Sequence, residues 1–108
     1  MAFEYSYRFT QKAEQDLDEI LHYIAIDLDN PIAAKQFFET VFRKIDTIRC
    51  FPESGALVEN EFLADKAVRK LIADQYVIYY KISHDEKIVC VIRIVYGRRN
   101  LDEILREI

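Results

Sequence analysis

IVCVIRIVYGRRN, residues 88–100, decides the fold. Eight of its first nine residues are apolar or aromatic and most are β-branched, the composition of a strand buried on both faces. Arg93 is the exception inside the run, and a charge in a buried strand needs a partner or a solvent-facing position. The run ends in Gly97, Arg98 and Arg99, and then Asn100, a residue suited to cap a short helix. Paired arginines after a glycine at a strand end are a poor way to build a core. They are a good way to present positive charge to a phosphate or carboxylate partner. The plainer alternative is that they solvate the strand end.

Working outward, residues 67–73, 76–82 and 87–96 are three strand candidates separated by the turn-sized breaks Asp74-Gln75 and 83–86, which predicts an antiparallel meander. At the other end, Phe3, Tyr5, Tyr7 and Phe9 alternate with Glu4, Ser6 and Arg8, a strand with one buried face. Thr10 can cap the helix that follows. That helix carries the apolar stripe Ala13, Leu17, Ile20, Leu21, Ile24 and Leu28, with an acidic outer face through Glu14, Asp16, Asp18 and Glu19. Asn30 and Pro31 start a second helix, with stripe Ala34, Phe37, Phe38, Val41, Ile45 and Ile48, stopped by Phe51-Pro52. So short a link makes the two helices antiparallel. Residues 52–66 read as an acidic loop, and Asn100 with Glu103 resembles a capping box opening a last helix. The order β-α-α-β-β-β-α predicts an α+β fold: an N-terminal strand, an antiparallel helical hairpin packed on a mainly antiparallel sheet, and a short C-terminal helix.

With 108 residues the chain suits one domain, 1–108, with a modest core. Hydrophobic residues make up 51% and charged residues 31%, so the chain is globular rather than disordered. It has no secretory leader and no membrane-length apolar run, and the isolated Cys50 and Cys90 fit reduced thiols, so a cytoplasmic protein is expected. His22 and His84 are far apart and without cysteine clustering, so neither a metal nor another cofactor is expected. The net charge of −4 is unevenly spread. Residues 11–66 carry 6 Lys+Arg against 12 Asp+Glu, a balance of −6, and residues 67–99 carry 7 against 3, a balance of +4. No direct DNA binding through the bulk field is expected, and an anionic partner must be met locally on the 67–99 side.

These pieces in their order resemble the RelE/ParE superfamily of toxins from bacterial type II toxin–antitoxin systems. The likeness runs through the aromatic first strand, Ala13, Asp16-Leu17, Ile20, Tyr23-Ile24, Pro31, Ala34, Phe37 and residues 51–55, FPESG. It continues through Val68-Arg69-Lys70-Leu71, the strand Tyr76-Val77-Ile78-Tyr79-Tyr80, and Tyr96-Gly97-Arg98-Arg99. It implies a growth-arresting toxin of a plasmid-stabilisation module, held by a cognate antitoxin protein. RelE-like members cleave ribosome-bound mRNA, and ParE-like members inhibit DNA gyrase by protein contact.

Local residues favour the ParE-like side. Cleaving RNA through its 2′-hydroxyl needs a base, an acid and cations on the developing phosphorane. The RelE-like pattern places an arginine after the tyrosine of its strand, where this chain has Val77, and a tyrosine or histidine near the C-terminus, where none follows Tyr96. Such enzymes are strongly basic, whereas this chain has a pI near 5.2. The ParE-like pattern has histidine where Tyr96 stands, a departure that leaves the subfamily open. Target contact falls to Arg69, Arg98 and Arg99. A variant nuclease would instead use Arg69, Arg93, Tyr96 and Arg98, and a nontoxic adaptor with the same fold is a further alternative. Each of these residues also has a plain structural role open to it: an edge charge for Arg69, an ion pair to a helical carboxylate for Arg93, core filling for Tyr96. Both histidines read as surface.

Overall fold

A computed structural model describes residues 3–99 and 101–108. Strand β1, Ser6–Phe9, gives way at Thr10 to helix α1, Gln11–His22. Thr10 holds an extended backbone and its hydroxyl accepts the Ala13 N–H at 3.1 Å, satisfying one of the helix's orphan donors. The helix runs on as a π-helical turn, Tyr23–Asp27. Asn30 then caps α2, Pro31–Cys50, by accepting the Ala33 N–H at 3.1 Å, with Pro31 in the first turn where a missing N–H costs nothing. Phe51-Pro52 ends α2 and a 3₁₀ turn follows at Pro52–Ser54. Next come β2, Ala56–Leu57, β3, Arg69–Ala73, β4, Tyr76–Ser83, β5, Ile88–Tyr96, and α3, Leu101–Arg106. The capping box expected at Asn100 lies outside the described residues.

The five strands form one sheet in the order β1-β5-β4-β3-β2. β3, β4 and β5 are the expected antiparallel meander, and β1 pairs parallel with β5. The helical hairpin supplies the long crossover that a parallel pair requires. The result is the α+β fold read from the sequence.

Both faces of the central strands are covered. On one face Ala13, Leu17 and Ile20 of α1 and Phe37, Val41 and Ile45 of α2 pack on Ile78, Val91 and Ile94. On the other, Val58, Leu63 and Val68 of the long loop and Ile104 and Leu105 of α3 pack on Val77, Tyr79 and Val95. A bulge beside Tyr79 and Tyr80 pairs Tyr80 with Val91 and Tyr79 with Arg93, leaving Ile92 extra. Val91 and Ile94, three residues apart, therefore both reach the hairpin side, which a regular strand forbids.

Four details differ from the sequence reading, the first being that Leu28 and Phe38, placed in the apolar helical stripes, are 54% and 44% exposed. The acidic loop contains a short strand, β2, because Ala56 and Leu57 complete the edge opposite Lys70 and Arg69. The first strand is shorter than its aromatic alternation, and Phe3 and Tyr7 stay exposed. As an edge strand it meets the flank of α2, with Tyr7 and Phe9 rings each 5.9 Å from Phe42 and the Arg49 guanidinium 4.0 Å from the Phe3 ring. Asp16 belongs to the inner face of α1, not the solvated one: it is 6% exposed.

Candidate target-binding site

Arg93 is as buried as Asp16, and the two are partners. Arg93 Nε donates to Asp16 Oδ2 at 2.7 Å and Nη2 to Oδ1 at 3.3 Å. Asp16 Oδ2 also accepts the Ile94 N–H at 3.0 Å. β1 pairs with β5 only as far as Phe9 and Val91, so beyond that point the carboxylate serves the strand edge that β1 leaves open. Glu107 of the C-terminal segment adds a contact at 3.5 Å to Arg93 Nη1. Arg93 thus takes the structural ion pair weighed for it.

Arg69 is also occupied. Its Nη1 donates to the Glu53 carbonyl at 3.1 Å and the Gly55 carbonyl at 2.7 Å. Beside it the buried Tyr80 hydroxyl donates to the Pro52 carbonyl at 2.6 Å and accepts the Gly55 N–H at 2.9 Å. Glycine is required at position 55, because an added Cβ would sit 2.5 Å from the Tyr80 hydroxyl and 2.8 Å from the Lys70 carbonyl. Arg69 and Tyr80 therefore clamp the turn after α2. Burial holds the Tyr80 phenol above its ordinary range. Arg69 is not the bare edge charge either, since β2 pairs along it.

The end of β5 is different. Gly97 N–H donates to the Gln75 carbonyl at 2.9 Å, drawing the strand end against the β3–β4 turn, and a Cβ there would lie 3.3 Å from that carbonyl. The chain then turns, with Arg99 N–H donating to the Tyr96 carbonyl at 3.0 Å, and Arg98 and Arg99 both emerge exposed. Among the described residues neither side chain has a hydrogen-bond or ion-pair partner. Tyr96 is half-buried, its ring 5.6 Å from that of Tyr76. The two tyrosines help line a cleft of about 620 Å³ between the hairpin tip and the sheet, with Tyr23, Leu28 and Phe37. Burial, then the neighbouring Tyr23 and Tyr96, push the Tyr76 phenol up, so it stays protonated at neutral pH.

Of the residues named from the sequence, Tyr96, Arg98 and Arg99 gather at this strand end. Arg69 and Arg93 are held elsewhere by internal partners. Val77, at the position of the nuclease arginine, faces the opposite core and is 7% exposed. His22 is exposed, and His84 sits in the β4–β5 turn with Nδ1 2.8 Å from the Tyr5 hydroxyl and Nε2 3.6 Å from Glu53. Among the described residues no cluster of three His, Cys, Asp or Glu side chains is placed to hold a metal. No helix among them is long and apolar enough to cross a membrane. The sequence reading missed Tyr23 and Tyr76 as cleft residues; Tyr23 lies in the π-helical turn beside the apolar stripe of the first helix, and its only sequence signal was a large aromatic outside that stripe.

A family model, the ParE toxin of the type II toxin–antitoxin system parDE, matches residues 7–101. The chain belongs to the ParE toxin family. The chromosomal ParDE system of P. aeruginosa superposes with a TM-score of 0.65 at 21% identity, covering 88% of this chain and 98% of that one. The RelBE2 toxin–antitoxin complex of Mycobacterium tuberculosis gives 0.60 at 19%, covering 89% and 94%. The archaeal RelE–RelB complex of Pyrococcus horikoshii OT3 gives 0.62 at 12%, covering 89% and 98%. These structural likenesses show a shared fold, and the family match places this ParE chain within the superfamily that its sequence resembles. No curated protein sequence matches it.

Proposed function

We propose that this ParE-family protein is a growth-arresting toxin that acts in the cytoplasm on DNA gyrase by protein contact, with Arg98 and Arg99 meeting the target. A cognate antitoxin would hold it in check. One observation carries the reading: of the four groups a nuclease would draw on, Arg69 and Arg93 are consumed by internal partners, while the arginine pair after Gly97 has no partner among the described residues. With Arg69 and Arg93 engaged and Val77 buried, phosphorane stabilisation would rest on Arg98 with no second cation of that set beside it. An antitoxin partner fits the exposed apolar side chains on the hairpin, Ile26, Ile32 and Phe38 among them.

The second reading, a ribosome-dependent endoribonuclease, draws on Tyr96 and Arg98, two residues apart on one strand end. Induced expression followed by primer extension on cellular mRNA separates the two. Growth arrest with intact transcripts, relieved by the protein of an adjacent small reading frame, is expected. Codon-positioned cuts within minutes would replace the gyrase reading with the nuclease one.

A further inference from the structure

The cleft at the hairpin tip is built with unusual backbone. Part of its helical wall is the π-helical turn Tyr23–Asp27, a geometry frequent at functional sites. Asp29, just after the lining residue Leu28, has φ 50°, and Asp74 on the facing turn has φ 55°, both left-handed without being glycine. Such residues carry backbone strain and persist where surrounding structure demands them. The wall is also left bare: Tyr23 is 47% and Leu28 54% exposed. Tyr23, Tyr76 and Tyr96 line this cleft and also the smaller pocket that contains Glu19 and Arg99, so one groove runs from Leu28 to Arg99.

We infer that this groove is the second half of the target-contact surface and that it receives an acidic segment of the target protein carrying one aromatic or large aliphatic anchor. The inference rests on the reading that Arg98 and Arg99 meet a target. Their guanidinium groups, without a partner among the described residues, are suited to bidentate carboxylate binding, while the tyrosine-walled cleft offers an apolar seat for the anchor. Charge sets the direction of the segment. Asp74 lines the cleft and Glu19 shares the smaller pocket with Arg99, so carboxylates are repelled along the groove walls and seated only at the exposed Arg98 and Arg99. The same two acids oppose a nucleic-acid strand along the groove, whose phosphates repeat at every step.

The test uses the full chain with Leu28→Glu or Tyr23→Ala, both at exposed positions, and Ile72→Thr as an exposed control outside the groove. Growth arrest, half-inhibition of gyrase supercoiling, antitoxin affinity and oligomeric state are measured together. Leu28→Glu should abolish growth arrest and raise the half-inhibitory concentration at least tenfold with Tm unchanged, while Ile72→Thr behaves as wild type. A Leu28→Glu protein that remains fully toxic overturns the inference, whether or not it has lost antitoxin affinity. A wild-type dimer that Leu28→Glu dissociates overturns it too, because a second copy then covers the groove. If the wild type arrests growth without touching gyrase, the gyrase reading falls, and loss of arrest in Leu28→Glu still supports the groove.

Discussion

Asp16 and Arg93 lie 77 residues apart and close the junction between α1 and β5, one carboxylate binding both the Arg93 side chain and the Ile94 backbone. Breaking a buried pair by removing one member leaves an uncompensated charge, at a cost of about 3–5 kcal/mol. Arg93→Ala should lower stability by that amount in urea denaturation. Asp16→Leu with Arg93→Met should recover much of it, leaving about 1–3 kcal/mol for the unsatisfied Ile94 N–H. A single Arg93→Ala substitution that folds with wild-type stability would return Arg93 to the list of available cations.

The turn after α2 depends on the Tyr80 hydroxyl. Tyr80→Phe orphans the Gly55 N–H and the Pro52 carbonyl and should cost about 1–3 kcal/mol. Gly55→Ala should be at least as damaging. Combining the two should give no full rescue, because Tyr80 Cε1 at 2.6 Å and the Lys70 carbonyl at 2.8 Å still obstruct the new Cβ. Thermal midpoints of the three variants decide it.

Tyr76, Tyr79 and Tyr80 all have phenols raised by burial above the ordinary value of 10.0. For a raised group the stability is fully present below the unfolded value and is lost as pH climbs through the folded one. Stability should therefore hold up to about pH 10 and fall above it, by about 1.4 kcal/mol per pH unit for each fully buried phenol. Unfolding midpoints between pH 8 and 11, followed with tyrosinate absorbance, would reveal this; a flat profile above pH 10 would count against it.

Arg98→Ala with Arg99→Ala removes charge that no described partner uses, so stability should change by no more than about 0.5 kcal/mol. Growth arrest should nevertheless disappear. A folded double variant that arrests growth as well as wild type would reduce the pair to strand-end solvation.

Most of the fold was legible because its signals are local. The β-branched run at residues 88–96, the turn at Asp74-Gln75, and the caps Thr10 and Asn30 each name their own structure. What stayed hidden depends on distant pairing. Asp16 looks like one more charge on an acidic helix until Arg93 arrives from β5, and the two-residue β2 exists only because β3 leaves an edge beside it. The arginine pair was readable as a candidate, since Gly97-Arg98-Arg99 follows a buried strand directly. The cleft beside it was not, because its walls come from the hairpin tip and the β3–β4 turn.

The central claim is contact with gyrase through Arg98 and Arg99, and plasmid supercoiling by purified gyrase in the presence of the purified chain tests it most directly. Supercoiling should be inhibited by the wild type and restored with the Arg98→Ala, Arg99→Ala protein at equal concentration. Undiminished supercoiling with a wild-type preparation that arrests growth in cells would contradict the account.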